Sequence, residues 1–544
     1  MQRYCPVTGK LWRGIAVCRW YNGVMKIRPT LPKLGALTAA VFLAGCGAPH
    51  ITLPRRGDIL RRPTLNIVAQ GSSTLNPVGS YDNTPAAAID QLMWNGLVNI
   101  APNGTIIPDL AMHWTIANHY QEFVVALDPR AKWWNGRPIT AHDVVWTYQF
   151  YQNRYSGFHG YRALDRLIRS VSAVSPTQVA FRLNHPDPGF LADWASQGSN
   201  VFILPAFALD HLPTSQVIKA KALSEPLDFI GTGAFRPISL SSRYLALRAV
   251  PRYFEGTPKI SYIFWRTSPP RHVTKLSAVL WLTPPTSKIP GLEPLWSEDG
   301  HYWILLANMH DGILRNYQAL RGLYQGLDRA AVARLGDGQI ANGPLPPSNW
   351  FANPLLEPPA FSPRSATIAT ASFKHQVMPI LVDSDRPREV LACRNIAHQG
   401  QSLGIAFRCN PQPQRAFYSD LQHGRFVWAF VNRAASPVGW VFSQYYGGLT
   451  PPLGQNLGSY SNPDTNRALL ATMITTENTQ HMIALYQLQE ALVKYPPGIF
   501  LAWPQRAVWV SSNFTGYQPN PYVAFFQPQS WYLILPKAVK KAGG

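Results

Sequence analysis

The chain has 544 residues, 46% of them hydrophobic and 14% charged, with 49 Lys+Arg against 28 Asp+Glu and a formal net charge of +21. That length is too great for one core and sets two or three globular domains, and the hydrophobic share excludes a disordered chain. The basic residues are scattered rather than gathered on one face, which speaks against nucleic acid as partner, while the shortage of acids suits an acidic exterior, where carboxylates protonate and lose their pairing value.

Residues 1–24 read as an upstream extension ahead of the true start. From Met25 a basic opening (Lys26, Arg28, Lys33) precedes an apolar run over residues 34–44 that ends in Leu43-Ala44-Gly45-Cys46. The run is too short to span a bilayer, which needs about 20 apolar residues, so residues 25–45 read as a secretory signal. Its ending resembles the bacterial lipobox, which implies that the Cys46 thiol takes a diacylglycerol and holds the mature chain on the outer face of the cell membrane by two acyl chains. Residues 1–45 hold seven Lys/Arg and no acid, so the mature chain keeps a net charge of +14. Cys5 and Cys18 precede the cleavage point, leaving Cys393 and Cys409 as an even pair in an oxidising space. They form a candidate disulfide, with two buried free thiols as the alternative.

Residues 46–63, rich in Pro and Arg, read as a flexible linker. A strand is expected over residues 64–70, β-rich patterns up to about 266, and helices over 84–97 and 140–153. Thr140 ahead of Ala141-His142-Asp143 puts a hydroxyl at the N-cap and a carboxylate in the first turn. A Pro-rich stretch over 267–294 marks the crossing to a second domain. Beyond it the pattern predicts a helix over 317–335, strand 376–382, helix 386–403, strand 405–408, strand 426–431 and a helix over 462–494 broken near 475–478. Strand, helix and strand in succession predict a parallel α/β core.

Residues 74–144 carry Leu75, Pro77, Gly96, Leu97, Pro108, Leu110, Ala111, Trp114, Phe123, Leu127, Lys132, Trp133, Gly136, Pro138, Thr140, Ala141, Asp143 and Val144 in an ordered pattern, continued by "GTGAFRPISL", "VPRYFEGTPK", "ALRGLYQGLDRAAV" and "GSYSNPDTNRALL". The chain thereby resembles the family 5 extracellular solute-binding proteins, the oligopeptide- and dipeptide-binding receptors of ABC importers, over most of residues 64–526. Asn76 and Asn466 stand where that family usually has Asp, and residues 267–300 match poorly. The resemblance implies an α/β fold, two-lobed and periplasmic-binding-protein-like, with an additional subdomain. Domain I would run over 64–266, with a subdomain inserted at about 85–230, domain II over 267–504, and residues 505–544 would return to domain I. It further implies a monomer that closes on a small oligomer, an ABC permease with its ATPase subunits as partners, and no cofactor.

No HExxH, CxxC, P-loop or GxSxG motif occurs, and "GTGAFR" lacks the last glycine of a dinucleotide loop, so neither catalysis nor a resident metal is expected. His113, His119 and His142 fall at loop or cap positions and read as structural. In peptide-binding relatives the ligand ammonium meets an Asp in a Trp-x-x-Asp-x-x-(Asp/Glu)-Pro segment. Setting that proline on Pro437 of "FVWAFVNRAASPVGW" places Phe430 at the Trp, Arg433 at the Asp and Ser436 at the second acid. A cation there repels an ammonium. Three readings stay open: Asp82 accepts the ammonium instead, Arg433 binds a carboxylate or phosphate bidentately, or the cavity takes a neutral oligomer such as a sugar on its aromatics. The candidate ligand residues are Tyr81, Asp82, Asn83, Tyr161, Phe430, Asn432, Arg433 and Trp440, with Trp428 weighed as core. Strand alternation puts Trp428 and Phe430 on one face and Arg433 on the other. The expectation is a lipid-anchored receptor delivering a peptide-like oligomer to a permease. The alternative is a receptor-like lipoprotein that takes a non-peptide ligand or senses without a permease.

Overall fold

The computed structural model describes residues 61–534 apart from 70–74, 80–84, 242, 271–273, 283–289, 375, 439–440, 452–453 and 476–477, together with a short antiparallel pairing of Trp20–Tyr21 with Val24–Met25. The chain divides into two compact units, Met1–Thr52 and Leu53–Gly544. The apolar signal run, Cys46, most of the linker and the candidates Tyr81, Asp82, Asn83 and Trp440 lie outside the described residues.

The second unit opens with β1 (Thr64–Val68) and α1 (Pro85–Met93). Strands β2 (Ala111–Ala117) and β3 (Glu122–Leu127) lead to helices α2 (Ala141–Gln152) and α3 (Tyr161–Leu167), then β4 (Ile168–Ser175) and β5 (Gln178–Leu183). Strands β6 (Phe235–Leu240), β7 (Tyr244–Ala249), β8 (Tyr262–Arg266), β9 (Ser277–Trp281) and β10 (Leu292–Glu298) follow. Then come β11 (His301–Ala307), α4 (Tyr317–Gly326), α5 (Arg329–Leu335), β12 (Gln339–Ile340), β13 (Val377–Asp383), α6 (Pro387–Ser402) and β14 (Ala406–Gln412). The chain ends through β15 (Trp428–Ala434), α7 (Pro463–Ile474), α8 (Asn478–Lys494), β16 (Gly498–Trp503) and β17 (Gln505–Ser511).

These strands build three main sheets: β6-β7-β8-β1-β9-β17-β10, β12-β16-β11-β15-β13-β14, and the antiparallel β2-β3-β5-β4. All five residues of β1 are buried, and it runs parallel to both β8 and β9, as an apolar strand covered on both faces should. Each of the two large sheets has its own core. One gathers Leu65, Ile67, Trp94, Trp265 and Leu280, and the other gathers Leu305, Ile380, Trp428, Phe430 and Phe500. The parallel β13–β14 and β13–β15 pairings form the expected α/β core, with α6 as crossover.

Several elements differ from the sequence reading for local reasons. The helix expected over 84–97 stops at Met93, because the N–H of Leu97 bonds the Ala195 carbonyl at 2.8 Å and a Cβ at Gly96 would meet the backbone of residues 195–197 at 2.5–2.9 Å. The helix expected over 317–335 is two helices, since Asp328 caps the second by accepting from the Ala331 N–H at 3.0 Å. The Pro-rich stretch does not mark the departure from the first sheet. It supplies β9 and β10 to that sheet, and the chain leaves only after Glu298. Cys393 and Cys409 are joined, S–S 2.03 Å, tying α6 to β14.

Candidate functional site

Two adjacent strand crossings join the lobes. β10 passes into β11 through Asp299 and Gly300, and β16 passes into β17 through Pro504. The crossings run side by side: Glu298 pairs with Gln505, and the Asp299 N–H donates to the Pro504 carbonyl at 3.2 Å. Gly300 turns with φ +82°, where a side chain would strike the Pro521 carbonyl. Carboxylates crowd this place. Burial raises the pKa of Glu298, whose carboxylate accepts from the Ser348 hydroxyl, and burial also raises that of Asp299, against the pull of His301 and Arg506.

Among the described residues the lobes also touch at two further patches, the first beside the crossings. In the first, the Asn349 amide of the lobe after Gly300 donates to the Tyr522 hydroxyl of the other lobe and, within its own lobe, to the Pro437 carbonyl, each at 2.8 Å, and the Trp350 N–H donates across to the Asn103 carbonyl at 2.9 Å. Gly104, at φ +84°, lets the Asn103-Gly104 turn approach Pro437 and Asn349 where no Cβ fits. Ile100, Ala192, Val438 and Val523 bury themselves beside it, with Phe351 against them. In the second patch the β2–β3 turn reaches the α7–α8 junction. The Tyr120 hydroxyl donates to the Thr475 carbonyl at 2.7 Å, and His119 Nδ1 lies 3.0 Å from the Ile474 carbonyl, which fixes the proton on that nitrogen. The Tyr120 and Phe351 rings both pack on His481, at 5.9 and 5.7 Å between centroids. Burial pushes the Tyr120 phenol up to about 12, so it stays a donor, and holds the His481 imidazole below its ordinary range. Asn118, His119 and Tyr120 all take positive φ, between 49° and 62°, a strained turn for three residues that are not glycine.

The sequence candidates fall in different places. Arg433 lies within β15, paired with Tyr302 of β11, rather than beyond the strand end. It is 7% exposed, and its guanidinium donates to the Gln455 carbonyl at 3.0 Å and to Gln444 at 3.4–3.5 Å, with its Cζ 5.5 Å from the Tyr445 ring centroid. Among the described residues no carboxylate comes within ion-pair distance of it. Around it the Tyr302 hydroxyl bonds Gln444 Oε1 at 2.8 Å and the Tyr445 hydroxyl at 2.6 Å. Phe430 and Trp428 are fully buried, Phe430 against Trp303 and Trp428 between Phe373 and Phe407. Asn432 alternates to that same face, away from Arg433, where its side chain supports the Glu389 carboxylate. Tyr161 stands apart from these on the α2–α3 surface, its hydroxyl accepting from Arg162 Nε at 2.9 Å. The contacts of Asn349, Tyr522, Tyr120 and Thr475 escape a sequence reading. The one signal for them is the Asn-Gly dipeptide at 103–104, which marks a tight turn without saying what approaches it.

Among the described residues no three His, Cys, Asp or Glu side chains group as metal ligands, and no helix is long and apolar enough to cross a membrane.

A family model for bacterial extracellular solute-binding proteins, family 5 (middle region), matches residues 105–451. The oligopeptide-binding protein AppA of Bacillus subtilis is 21% identical over 537 residues, covering 91% of this chain and 97% of the relative. The structure of AppA from Bacillus subtilis in complex with a nonapeptide matches with a TM-score of 0.65 at 17% identity, over 87% of this chain and 99% of that one. HbpA2 from Haemophilus parasuis matches with a TM-score of 0.73 at 18% identity, over 87% and 100%. These structural likenesses show a shared fold.

Proposed function

The chain belongs to the bacterial extracellular solute-binding proteins, family 5, and from that premise we propose that it captures a peptide-like oligomer in a cleft between its lobes and delivers it to an ABC permease. It is a binding protein and not an enzyme. The observation that carries the reading is the pair of adjacent crossings at 298–301 and 503–505, with further lobe contacts at Asn349, beside the crossings, and at Tyr120. Two neighbouring strands let one lobe rotate on the other, and these further contacts are made or broken by that rotation. We take residues 64–298 and 505–534 as one lobe and 301–503 as the other. The relative AppA is named for oligopeptides and is seen with a nonapeptide, which supports the ligand class. Anchoring through Cys46 on the outer face of the membrane completes the proposal.

Arg433 favours a second reading of the ligand's chemistry. A cation that is 7% exposed and carries no carboxylate partner among the described residues disfavours an ammonium nearby and favours a ligand carboxylate or phosphate. Mass spectrometry of ligand carried through purification tests both readings. Peptides are expected, and an Arg433→Ala variant is expected to shift their mixture away from acidic members. Recovery of sugars alone would sink the peptide reading. Free-amine peptides in unchanged proportions from the variant would remove Arg433 from specificity.

A further inference from the structure

Helix α3 turns Leu164 and Leu167 into the core and leaves Arg162, Asp165 and Arg166 exposed. With Arg154 and Tyr155 from the turn just after α2, and with Tyr161, these residues line a surface groove of about 1120 Å³. Its three arginines make no ion pair among the described residues, although exposed arginines elsewhere do: Arg130 with Asp128, Arg182 with Glu122, Arg388 with Asp337 and Arg425 with Asp420. Asp165, the groove's one acid, pairs with none of them. Aromatic rings hold two of the three cations instead. Arg154 lies 4.6 Å from the centroid of Tyr155, and Arg162 lies 5.7 Å from that of Tyr161 while donating to its hydroxyl at 2.9 Å. A guanidinium held on a ring keeps N–H edges free for an oxygen ligand, and its fork matches phosphate oxygens.

We propose that this groove binds phosphate esters. Three arginines lining one groove against one acid leave an excess of positive charge greater than a single carboxylate neutralises, and a phosphodiester bridging two arginines accepts from both forks. The site lies in the lobe that carries β2 to β5, apart from the lobe contacts at Asn349 and Tyr120, and it does not depend on the peptide reading. Two sources offer this chemistry: the headgroup of an anionic lipid, and a soluble glycerol phosphate.

The test compares wild type with R162Q/R166Q and with R408Q/R415Q, a pair of exposed arginines on the other lobe whose loss lowers net charge equally. Co-sedimentation with phosphatidylcholine vesicles, with and without phosphatidylglycerol, reads the lipid source, and titration with glycerol phosphate reads the soluble one. The groove variant is expected to lose binding roughly thirtyfold in at least one arm, with salt weakening wild type in the same arm, while R408Q/R415Q stays within about twofold. Loss in the vesicle arm assigns a lipid headgroup, and loss in the titration arm alone assigns a soluble ester. Equal weakening by both variants, or no binding in either arm, overturns the proposal. Unchanged melting temperature and peptide binding in R162Q/R166Q keep a folding defect, or failure of the transport reading, distinct from failure of this one.

Discussion

Replacing Asp187 by Asn should flatten the pH dependence of stability. Asp187 is 6% exposed; its Oδ1 accepts from the Gly189 N–H at 2.8 Å, and its own N–H donates to the Tyr120 carbonyl at 3.2 Å, just behind the turn that meets Thr475. Burial first, and then the nearby Asp193 charge, push its pKa from 3.8 to about 8. The folded chain therefore holds this proton up to about pH 8, while the unfolded chain releases it near 3.8. Its stabilising contribution is complete below the lower value and is lost as pH rises through the upper one. In that window one proton is worth about 1.4 kcal/mol per pH unit at the limit, and a discount of about half for relaxation and water entry leaves roughly 1–2 kcal/mol between about pH 5.5 and 7.5. Asp193 and Glu389, each raised to about 7 chiefly by burial, act in the same sense. His481, held below 6.5, acts oppositely as pH falls through 6.5, and it contributes equally to wild type and variant. The amide of D187N still accepts from Gly189, so the fold is kept. Thermal melting at the two pH values should show wild type more stable in acid, with the acid advantage smaller in D187N by a few degrees or less, given the size of the chain. Wild type melting higher at neutral pH, or D187N matching its pH dependence, would refute the reasoning.

Two further predictions concern the lobe contacts and the disulfide. Gly104→Val puts a branched side chain where Pro437 and Asn349 leave no room for a Cβ and forces a strained φ; it should hold the lobes apart and weaken ligand binding roughly tenfold or more, read by calorimetric titration with the ligand recovered from wild type, and full affinity would count against lobe closure at this patch. Cys409→Ser should lower stability by about 3 kcal/mol for a closed loop of this size, seen as a lower melting temperature that a reducing agent does not lower further.

Much of the fold was legible because its signals are local. The α2 start is one example: the Asp143 carboxylate reaches back to the Thr140 N–H and hydroxyl, each at 3.0 Å, as the cap spacing predicts. The break between α7 and α8 is another, with Asn462 capping the first helix. The Pro-rich stretch misled because proline's meaning depends on sheet position. Pro294 lies in β10, an edge strand, where its missing N–H costs little. Arg433 misled for a different reason. A charge at the end of an apolar run looks like a strand end, but Gln444, from the short helix Phe442–Tyr445, and Gln455, from the loop beyond it, meet the guanidinium along a course no local pattern records. The lobe contacts are non-local in the same way, since Asn103 and Trp350 lie far apart in the chain.

The scarcity of acids and the placement of those that remain are parts of one argument. Burial raises the pKa of Asp109, Asp143, Asp187, Asp193, Glu255, Glu298, Asp299 and Glu389, whereas Asp128 is lowered by Arg130 beside it. A carboxylate paired to a cation stabilises a fold at neutral pH and fails in acid, while a buried carboxyl that keeps its proton costs stability at neutral pH and little in acid. Among the described residues, buried acids paired to a cation are Asp128 with Arg130 and Asp383 and Glu389 with Arg386, while most of the others raised by burial carry no such pair. Arginine pairing at the surface, as in Arg182–Glu122 and Arg425–Asp420, is exposed and contributes little in any medium. A fold so composed is expected to gain on mild acidification until the net positive charge of the chain repels itself, and wild type melting higher at about pH 5.5 than at about pH 7.5 is the result that expectation requires.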